Sequence, residues 1–353
     1  MNTIKASARA YERWLKAQIG PDFVKAGLVK KHCKMREGPF SFLRATYWRW
    51  AETILDICPE LADAPEILAI GDTHIENFGT WRDVEGRLIW GANDFDEAAI
   101  MPYPLDLVRL ATSALLARGD DGPTASVICA ALLEGYTQGL TAPAPLVLER
   151  EYKWLRKAVV LPEQERAAFW DKIDALASTA IPQRYEDALR AVMPDPAASL
   201  VLSPRSAGTG SLGRPRFVAS GTWRGGPVLR EAKAIVVSAW TLRHAPGTTT
   251  IRIGDIAAGR CRAPDPHYQV GNGIVVRRLS PNSRKIEVKD AADELLFPRM
   301  LKLMGREIAN CHANDPAVLP AIQEDLIGRG GDWLRKAAKA AAQSVAREQE
   351  AFV

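Results

Sequence analysis

The sequence has few cysteines and no long apolar run. Its 353 residues include five scattered cysteines that form no Cys-x-x-Cys pair, and an odd number argues against a disulfide framework. No stretch approaches the roughly 18 consecutive apolar residues of a membrane-spanning helix. The first twenty residues are charged and lack the apolar core of a secretory signal. We therefore expect a cytoplasmic protein without a membrane span.

The sequence also has little net charge. It carries 46 Lys and Arg against 42 Asp and Glu, a formal charge of +4. So small an excess, without a clustered basic patch, predicts no nucleic-acid binding. Apolar residues make up 47% and charged residues 25%, as in ordinary globular proteins. This composition excludes disordered, collagen-like and coiled-coil proteins.

The patterning along the chain predicts three regions. Helical spacing of apolar residues over 1–60 and an Ala- and Leu-rich stretch over 105–200 frame a predicted hairpin, so 1–200 is expected to be mainly helical. Residues 201–290 are expected to be β-rich, and residues 291–353 to close the chain with helices. The predicted strands of the β-rich region are Phe217–Ala219, Val228–Leu229, Ile235–Val237, Thr249–Ile253 and Ile274–Val276.

A first polar motif follows the buried run Ile67–Ile70. The segment Gly71-Asp72-Thr73-His74-Ile75-Glu76-Asn77 places an Asn five residues after an Asp. This spacing matches the phosphotransferase loop, in which the Asp accepts the proton of the substrate hydroxyl and the Asn holds magnesium. The alternative is a polar loop in which both residues serve turn and capping roles. We assign Asp72 and His74 to the catalytic loop, with His74 expected to order the loop rather than to bind metal.

A second motif, Asn93-Asp94-Phe95-Asp96-Glu97, follows the apolar run Leu88–Trp90. Turn residues over 83–86 predict a hairpin that returns the chain beside its start, which would bring Asp94 close to Asn77. Oxygen ligands of this kind suit Mg²⁺ when substrate phosphates complete its shell. Bunched carboxylates also repel one another unless a cation is present. The predicted metal ligands are Asn77, Asp94 and Asp96, and the alternative is an acidic surface turn.

A third motif lies far along the chain. Gly208-Thr209-Gly210-Ser211-Leu212-Gly213 has the form G-x-G-x-x-G. A dinucleotide-binding loop would be followed by a helix, whereas here a strand is predicted, as in the phosphate-covering loop of kinases. Lys233, on the strand after that, would contact the nucleotide phosphates and lie within roughly 10 Å of Asp94, a few hydrogen-bond lengths. We assign Gly208, Gly210, Ser211, Gly213 and Lys233 to nucleotide binding; the alternative is an ordinary glycine loop with a lysine that reaches solvent.

Several segments between residues 30 and 315 form a recognisable set. They are Lys34-Met35, Pro39–Arg44, Gly71–His74, Asn77–Gly79, Asn93–Glu97, Gly208–Gly213, Lys233 and Ile308–Ala313. The set resembles the bacterial domain of unknown function 2252, a family grouped with protein-kinase-like proteins and similar to aminoglycoside phosphotransferases. The resemblance implies that Asp72 is the catalytic base, that Asn77 and Asp94 bind metal, that Asp106 is the structural aspartate of the next helix, and that Lys233 contacts phosphate.

The order of the motifs departs from that of kinases, in which the glycine loop and the lysine precede the catalytic loop. The resemblance therefore implies an α+β, two-lobed, protein-kinase-like fold that is circularly permuted, with a mainly helical lobe and a smaller antiparallel β lobe. No helix supplies an obvious Glu partner for Lys233. Glu231 is too near on the same strand, which leaves Glu287 and Glu294 as candidates.

The function expected is transfer of a phosphoryl group from ATP, with Mg²⁺, to a hydroxyl-bearing small molecule or protein that the sequence does not identify. One alternative is a nucleotide-binding scaffold without turnover, a pseudokinase, because the Glu partner of Lys233 is missing. A metallophosphoesterase is the other, since Asp72 and His74 could begin a dinuclear metal site. Such a site needs several more His and Asn ligands, and the remaining histidines do not lie in suitable motifs.

Overall fold

A computed structural model describes residues 2–283 and 285–353 of the chain. The protein is α+β, about half helical, with antiparallel sheets, which confirms the predicted class. Helical spacing correctly predicts the N-terminal region, where apolar stripes bury residues such as Leu15 and Ile54. Its helices are α1 (Ile4–Ile19), α2 (Lys25–Arg36), α3 (Pro39–Ala45) and α4 (Tyr47–Ile57).

The predicted hairpin is present. Phe78 pairs with Ala92 and Arg82 with Leu88, and residues 83–87 form the turn. A short strand adds to the hairpin beyond its second strand, while the strands on either side of the hairpin pair with each other. The strands of this region are β1 (Glu66–Ala69), β2 (Phe78–Arg82), β3 (Leu88–Ala92), β4 (Ala99–Pro102) and β5 (Leu146–Val147). Both motifs that begin and end the hairpin therefore lie at one end of it.

Five helices connect this region to the main sheet. The first begins with Pro104, whose fixed φ suits the first turn of a helix and whose missing N–H needs no partner there. The helices are α5 (Pro104–Ala117), α6 (Ala125–Thr141), α7 (Lys153–Val159), α8 (Glu163–Asp174) and α9 (Gln183–Ala191). They occupy the stretch predicted to be helical, with breaks at or near the prolines.

The main sheet has five antiparallel strands in the order β6-β7-β8-β10-β9. All five lie within the predicted β-rich region, and the loop Arg205–Pro215 joins the first two. The strands are β6 (Val201–Pro204), β7 (Arg216–Trp223), β8 (Gly226–Ala234), β9 (Gln269–Gly271) and β10 (Ile274–Arg278). Between the third and fourth strands the chain forms α10 (Ala239–His244) and α11 (Ile253–Ala257).

Two predicted strands are wrong. Strand β8 ends at Ala234, and Ile235–Val237 continue as an extended connection in which only the N–H of Ile235 bonds across, to the carbonyl of Gly273. Residues 249–252 are irregular, and Ile253 begins α11. Ile235, Val236 and Ile253 are buried, so their apolar character reflects core packing rather than strand pairing.

The C-terminal region is helical, as predicted. Its helices are α12 (Val288–Leu296), α13 (Pro298–His312), α14 (Leu319–Gly328) and α15 (Trp333–Phe352). Helix α13 packs on α6 and α15 packs on α5, and one continuous apolar cluster joins these helices to the main sheet through residues such as Ala232 and Ile274. All five cysteines are unpaired. Within 2–283 and 285–353, no helix combines the length and apolarity needed to cross a bilayer.

Candidate active site

The loop that carries Asp72 is held in place by hydrogen bonds to Asp106. The Asp106 carboxylate is fully buried and accepts hydrogen bonds from the backbone N–H groups of Ile70 (2.8 Å) and Gly71 (2.9 Å). The Thr73 hydroxyl donates to the Asp106 carbonyl (2.7 Å). Gly71 has a φ of +85°, and a Cβ there would overlap the carbonyl oxygen of Glu97. Asp106 thus braces the turn that presents Asp72, which agrees with the structural role that the resemblance implies for it.

One carboxylate oxygen of Asp72 is bound by Arg109, and the other is directed towards the glycine loop. Arg109 donates to its Oδ1 from Nε (2.8 Å) and from Nη2 (2.5 Å). A methyl group on Gly210 would lie 3.5 Å from Oδ2, so that oxygen faces the glycine loop. Burial raises the pKa of Asp72, although the Arg109 guanidinium opposes this shift. The group therefore has a fixed orientation and an oxygen directed towards the loop.

Asn77 ties the two ends of the hairpin together. Its Nδ2 donates to the carbonyls of Asp72 (3.1 Å) and Asp94 (2.9 Å), and its Oδ1 accepts from the N–H of Asp94 (3.0 Å). The predicted proximity of Asp94 to Asn77 is thus confirmed, and Asn77 links Asp94 to the Asp72 loop. An amide oxygen has two lone pairs, so Oδ1 retains one for another partner.

Lys233 reaches the same place from the main sheet. Its Nζ lies 3.5 Å from Oδ1 of Asp94 and 2.5 Å from Oδ1 of Asp96. The predicted distance of under about 10 Å between Lys233 and Asp94 is met across 139 residues, but the two side chains are in direct contact rather than on opposite sides of a cleft. The partners of Lys233 are these aspartates, so Glu287 and Glu294, the glutamates considered from sequence, do not pair with it.

Asp94 stays ionised in this setting. Burial alone would raise its pKa, but Lys233, Lys285 and Arg277 together hold the pKa well below its usual range. The neighbouring carboxylates of Asp96 and Glu97 are in turn bridged by Arg214, at 3.2 Å each. The cation that bunched carboxylates require is therefore supplied by the protein's own Lys and Arg.

The glycine loop covers Asp72. Lys31 of α2 donates from Nζ to the carbonyl of Gly210 (3.0 Å), which fixes the loop from one side. Arg216 donates to Oγ of Ser211 (2.9 Å) from the other side. Gly208 and Gly213 have positive φ values, of +75° and +100°, which only glycine adopts readily. The loop is thus a formed strand–loop–strand connection, as predicted.

These groups line one cavity of about 320 Å³. Its walls include Asp72, Asp94, Asp96 and the loop residues Gly208 to Ser211. Two assigned residues lie off these walls. Lys233 lies behind the two aspartates, and Gly213 packs against α2, where a Cβ on Gly27 would overlap it.

His74 lines the cavity but does not order the loop through its ring. It is buried, and its Nδ1 has no hydrogen-bond partner among the residues that the structure describes. The loop bond at this position is made instead by the His74 carbonyl, which accepts from the N–H of Asn77 (2.8 Å). Burial and the nearby cations Arg44 and Lys285 hold the pKa of His74 well below its usual value, so the imidazole is neutral.

The residues that line the cavity supply some of the oxygen ligands that a magnesium ion needs. Asp94 and Asp96 supply carboxylate oxygens, and Asn77 keeps one lone pair, which suits an ion whose shell is completed by phosphates. Within 2–283 and 285–353, no group of three His, Cys, Asp or Glu side chains has the arrangement of a metal centre. A dinuclear metallophosphoesterase centre needs several such ligands, so the described residues give that alternative no support.

Sequence reasoning missed Arg109, Arg205 and Arg216, and it favoured a surface role for Arg277 over contact with a phosphate. Arg109 and Asp106 are the two charged residues of the otherwise apolar α5, and both are fully buried. A charged side chain within so apolar a helix needs a buried partner of opposite charge. The presence of two such residues in α5 could therefore have indicated from the sequence that they contact other charged or polar groups. The second signal was Arg230-Glu231-Ala232-Lys233, a charged run within a strand whose last six residues are buried.

Residues 24–167 match the model of a bacterial family described as an uncharacterized protein conserved in bacteria (DUF2252). The matching segment holds the Asp72 loop, the hairpin and α5, and it ends before the glycine loop and Lys233. A comparison with curated proteins found no match, and neither did a comparison with solved structures.

Proposed function

We propose that the protein is a phosphotransferase that moves the terminal phosphoryl group of ATP, with Mg²⁺, to a hydroxyl group of an acceptor. The observation that carries the proposal is the meeting of Asp72, Asp94 and the glycine loop at one cavity, with Lys233 bound to Asp94 at 3.5 Å. In kinases the glycine loop covers the phosphates, the lysine lies on the third strand, and an Asp and an Asn serve the metal.

The arrangement of the main sheet supports this comparison. The glycine loop joins β6 to β7, the first two strands, and Lys233 lies on β8, the third. The order of these parts along the chain is the reverse of that in kinases, because the Asp72 loop comes first. A permuted kinase-like fold is therefore the fold that we propose, with residues 1–200 and 291–353 forming the helical part and 201–290 the β part.

In the proposed reaction Asp72 is the catalytic residue for the acceptor. Its open Oδ2 takes the hydroxyl proton as the acceptor oxygen bonds to the terminal phosphorus, and the bond from that phosphorus to the bridging oxygen of ATP breaks to release ADP. Arg109 holds Oδ1, so the carboxylate does not rotate away. A raised pKa makes Asp72 a better proton acceptor than an exposed aspartate.

Asp94 and Asp96 would hold the magnesium ion, with Asn77 fixing Asp94 in place. The ion would neutralise charge on the transferred phosphoryl group. Lys233 is the positioning residue behind both carboxylates, because it bonds to Asp94 and Asp96 rather than lining the cavity. His74, being neutral and unpartnered at Nδ1 among the described residues, would serve as a hydrogen-bonding group for substrate.

The experiment is a thermal melt and an ATPase assay with wild type, Asp72→Asn and the exposed control Asp63→Asn. ATP with Mg²⁺ at about 100 times its Kd should stabilise wild type by about 2.7 kcal/mol. Asp72→Asn should keep ATP affinity within a few-fold but lower turnover by about 10²–10⁴, because only the carboxylate accepts the proton. Asp63→Asn should match wild type in both.

Three outcomes would change this conclusion. Binding of ATP with no hydrolysis, no autophosphorylation and no transfer to cell extract favours a nucleotide-binding scaffold. Equal turnover in wild type and Asp72→Asn removes the role given to Asp72. Stabilisation by NAD and none by ATP would return the glycine loop to dinucleotide binding.

A further inference from the structure

Three arginines converge on one buried carboxylate beneath the glycine loop. Glu231 of β8 is 1% exposed. Its Oε1 accepts a hydrogen bond from Nε of Arg277 (2.9 Å) and lies 2.8 Å from Nη2 of the same arginine. Arg216 donates to the same oxygen, and Arg205 donates to Oε2. The strands bring these residues together, because Glu231 pairs with Arg277 in register and Arg216 pairs with the residue two positions on, Lys233. We call Arg205, Arg216 and Arg277 the arginine cluster.

The arginine cluster has more positive charge than its carboxylate balances. Three guanidinium groups on one carboxylate leave two positive charges. The neighbouring carboxylates Asp94, Asp96 and Glu97 face Lys233 and Arg214. They outnumber these two cations by one and Asp94 also acts on Arg277, so one positive charge remains. Burial and the neighbouring Arg277 and Arg216 lower the pKa of Arg205 despite its bond to Glu231. Buried like charges held together without a full set of counter-charges are costly, and a bound anion removes that cost.

The excess charge faces the cavity. All three arginines line it, together with Gly208 and Ser211 of the loop above them. Side chains of Arg205 and Arg277 are each 26% exposed, while Arg216 is 5% exposed and fixed by its bond to Ser211. Lys233, the residue expected from sequence to contact phosphate, lies behind Asp94 and Asp96 and does not line the cavity. The guanidinium groups of the arginine cluster are therefore among the cations that face a ligand beneath the loop.

We propose that the arginine cluster is a binding site for a phosphate group, with Glu231 as the positioning residue that holds the three guanidinium groups together. Guanidinium groups bind phosphate oxygens through paired hydrogen bonds and stay charged at any working pH. A phosphate group would supply the negative charge that the carboxylates beside the arginine cluster leave unbalanced. The group belongs either to the nucleotide, in which case the site rests on the proposed function, or to a phosphorylated acceptor.

The site makes a prediction that a magnesium-dependent nucleotide site alone does not. Because the compensating charge is built into the protein, a phosphate chain should bind without a divalent ion. The probe is inorganic tripolyphosphate, titrated calorimetrically into the full chain in buffer that contains EDTA. Wild type should bind it. Arg205→Gln and Arg277→Gln should each weaken binding by at least about tenfold, the loss of one charge-assisted hydrogen-bonding partner. The affinity of Arg277→Lys should lie between those of wild type and Arg277→Gln, because lysine keeps the positive charge but loses the paired N–H donors of the guanidinium group.

The control is Arg252→Gln, which removes a 41% exposed arginine paired with Asp255 on the surface. It should bind tripolyphosphate as wild type does. Glu231→Gln tests the positioning role, since it leaves three guanidinium groups without their carboxylate. Its Tm should fall in phosphate-free buffer, and tripolyphosphate should raise that Tm by more than it raises the wild-type Tm. If Glu231→Gln does not fold, the Arg205 and Arg277 variants carry the test.

Two outcomes overturn the site: wild type that does not bind tripolyphosphate, or binding that is equal in wild type and both Gln variants. A non-hydrolysable ATP analogue that displaces tripolyphosphate assigns the site to the nucleotide. Simultaneous binding of that analogue and glycerol 3-phosphate, with only the latter lost in Arg277→Gln, assigns it to the acceptor. Failure of the proposed function is separate, because a protein that binds tripolyphosphate through these arginines yet never hydrolyses ATP keeps the site and loses the reaction.

Discussion

Several single residues in this protein carry titratable groups that are largely buried. Glu97 is the clearest case, since its Oε2 accepts from the N–H of Ala239 (2.7 Å) and its Oε1 lies 3.2 Å from Arg214. Burial raises the pKa of Glu97 to about 7, even though Arg214 and the Ala239 N–H oppose the shift. The carboxyl group therefore titrates near neutral pH in the folded protein and near 4.5 in the unfolded chain.

This difference predicts how stability changes with pH. Between about pH 4.5 and 7 the folded protein holds a proton that the unfolded chain has released, so stability falls as the pH rises through that range. Glu97 should account for a loss of up to about 3 kcal/mol, and the loss is complete above pH 7. Urea unfolding at pH 5 and pH 8 measures this loss in the free energy of unfolding. Glu97→Gln should lose less stability than wild type over this interval.

The matched control is Glu60→Gln, which changes an exposed glutamate. Its stability at pH 5 and pH 8 should follow that of wild type. Parallel pH dependence in wild type and Glu97→Gln would show that Glu97 titrates alike in the folded and unfolded states.

At the scale of elements, α6 and α13 approach each other through glycines. A Cβ on Gly135 of α6 would overlap the carbonyl of Lys302, and one on Gly305 of α13 would overlap the carbonyl of Leu132. The contact matters for the site because α13 ends in His312, whose Nε2 lies 3.0 Å from the Asp106 carboxylate that braces the Asp72 loop. The close packing of α6 and α13 thus fixes the position of His312, which contacts the Asp106 carboxylate that supports the Asp72 loop.

Gly305→Ala should disturb this packing. The backbone of Leu132 cannot move aside as a flexible side chain would, so we expect a loss of about 1–3 kcal/mol in the free energy of unfolding. Denaturant unfolding measures the change. Gly328→Ala is the control, because a Cβ there meets nothing within 4 Å and its φ is not positive. It should be neutral or slightly stabilising, and an equal loss in both variants would contradict the packing argument.

At the scale of the whole molecule, the site exists because distant parts of the chain meet. Lys233 binds Asp96 across 137 residues, and Lys31 binds Gly210 across 179. These contacts connect the main sheet to the hairpin and to α2. A continuous apolar cluster shared by the sheet and the helices holds the two sides at this distance.

The pair Lys233 and Asp96 should therefore be strongly coupled. Lys233→Met leaves the largely buried Asp96 and the more exposed Asp94 without their shared cation. Asp96→Asn leaves the buried Lys233 with Asp94 alone, so each change should cost about 3 kcal/mol. The double variant should cost less than the sum by at least about 1 kcal/mol. A double-mutant cycle in urea measures the coupling. The same cycle on the surface pair Arg335 and Asp332 should give under about 1 kcal/mol, and additive losses at Lys233 and Asp96 would contradict the model of a shared buried pair.

The sequence by itself determined the local parts of the site. The turn residues between two apolar runs predicted the hairpin, and the hairpin placed Asp94 beside Asn77. Hydrogen bonds between the Asn77 side chain and the Asp94 backbone confirm this proximity. The strand–glycine loop–strand connection and the brace from Asp106 were also readable. Such features depend on spacings of up to a few tens of residues, over which strand periodicity and turn geometry leave the backbone few choices.

Only the tertiary structure decided how the charges are paired. Glu231 looked too close to Lys233 to matter, yet it anchors three arginines, while Lys233 turned to Asp94 and Asp96. Ile235–Val237 were predicted as a strand, yet they form a connection in which Ile235 and Val236 pack in the core. The physical reason is the same in both cases: local preference fixes a conformation, whereas the partner of a buried charge or apolar side chain is set by which distant surfaces the whole core brings into contact.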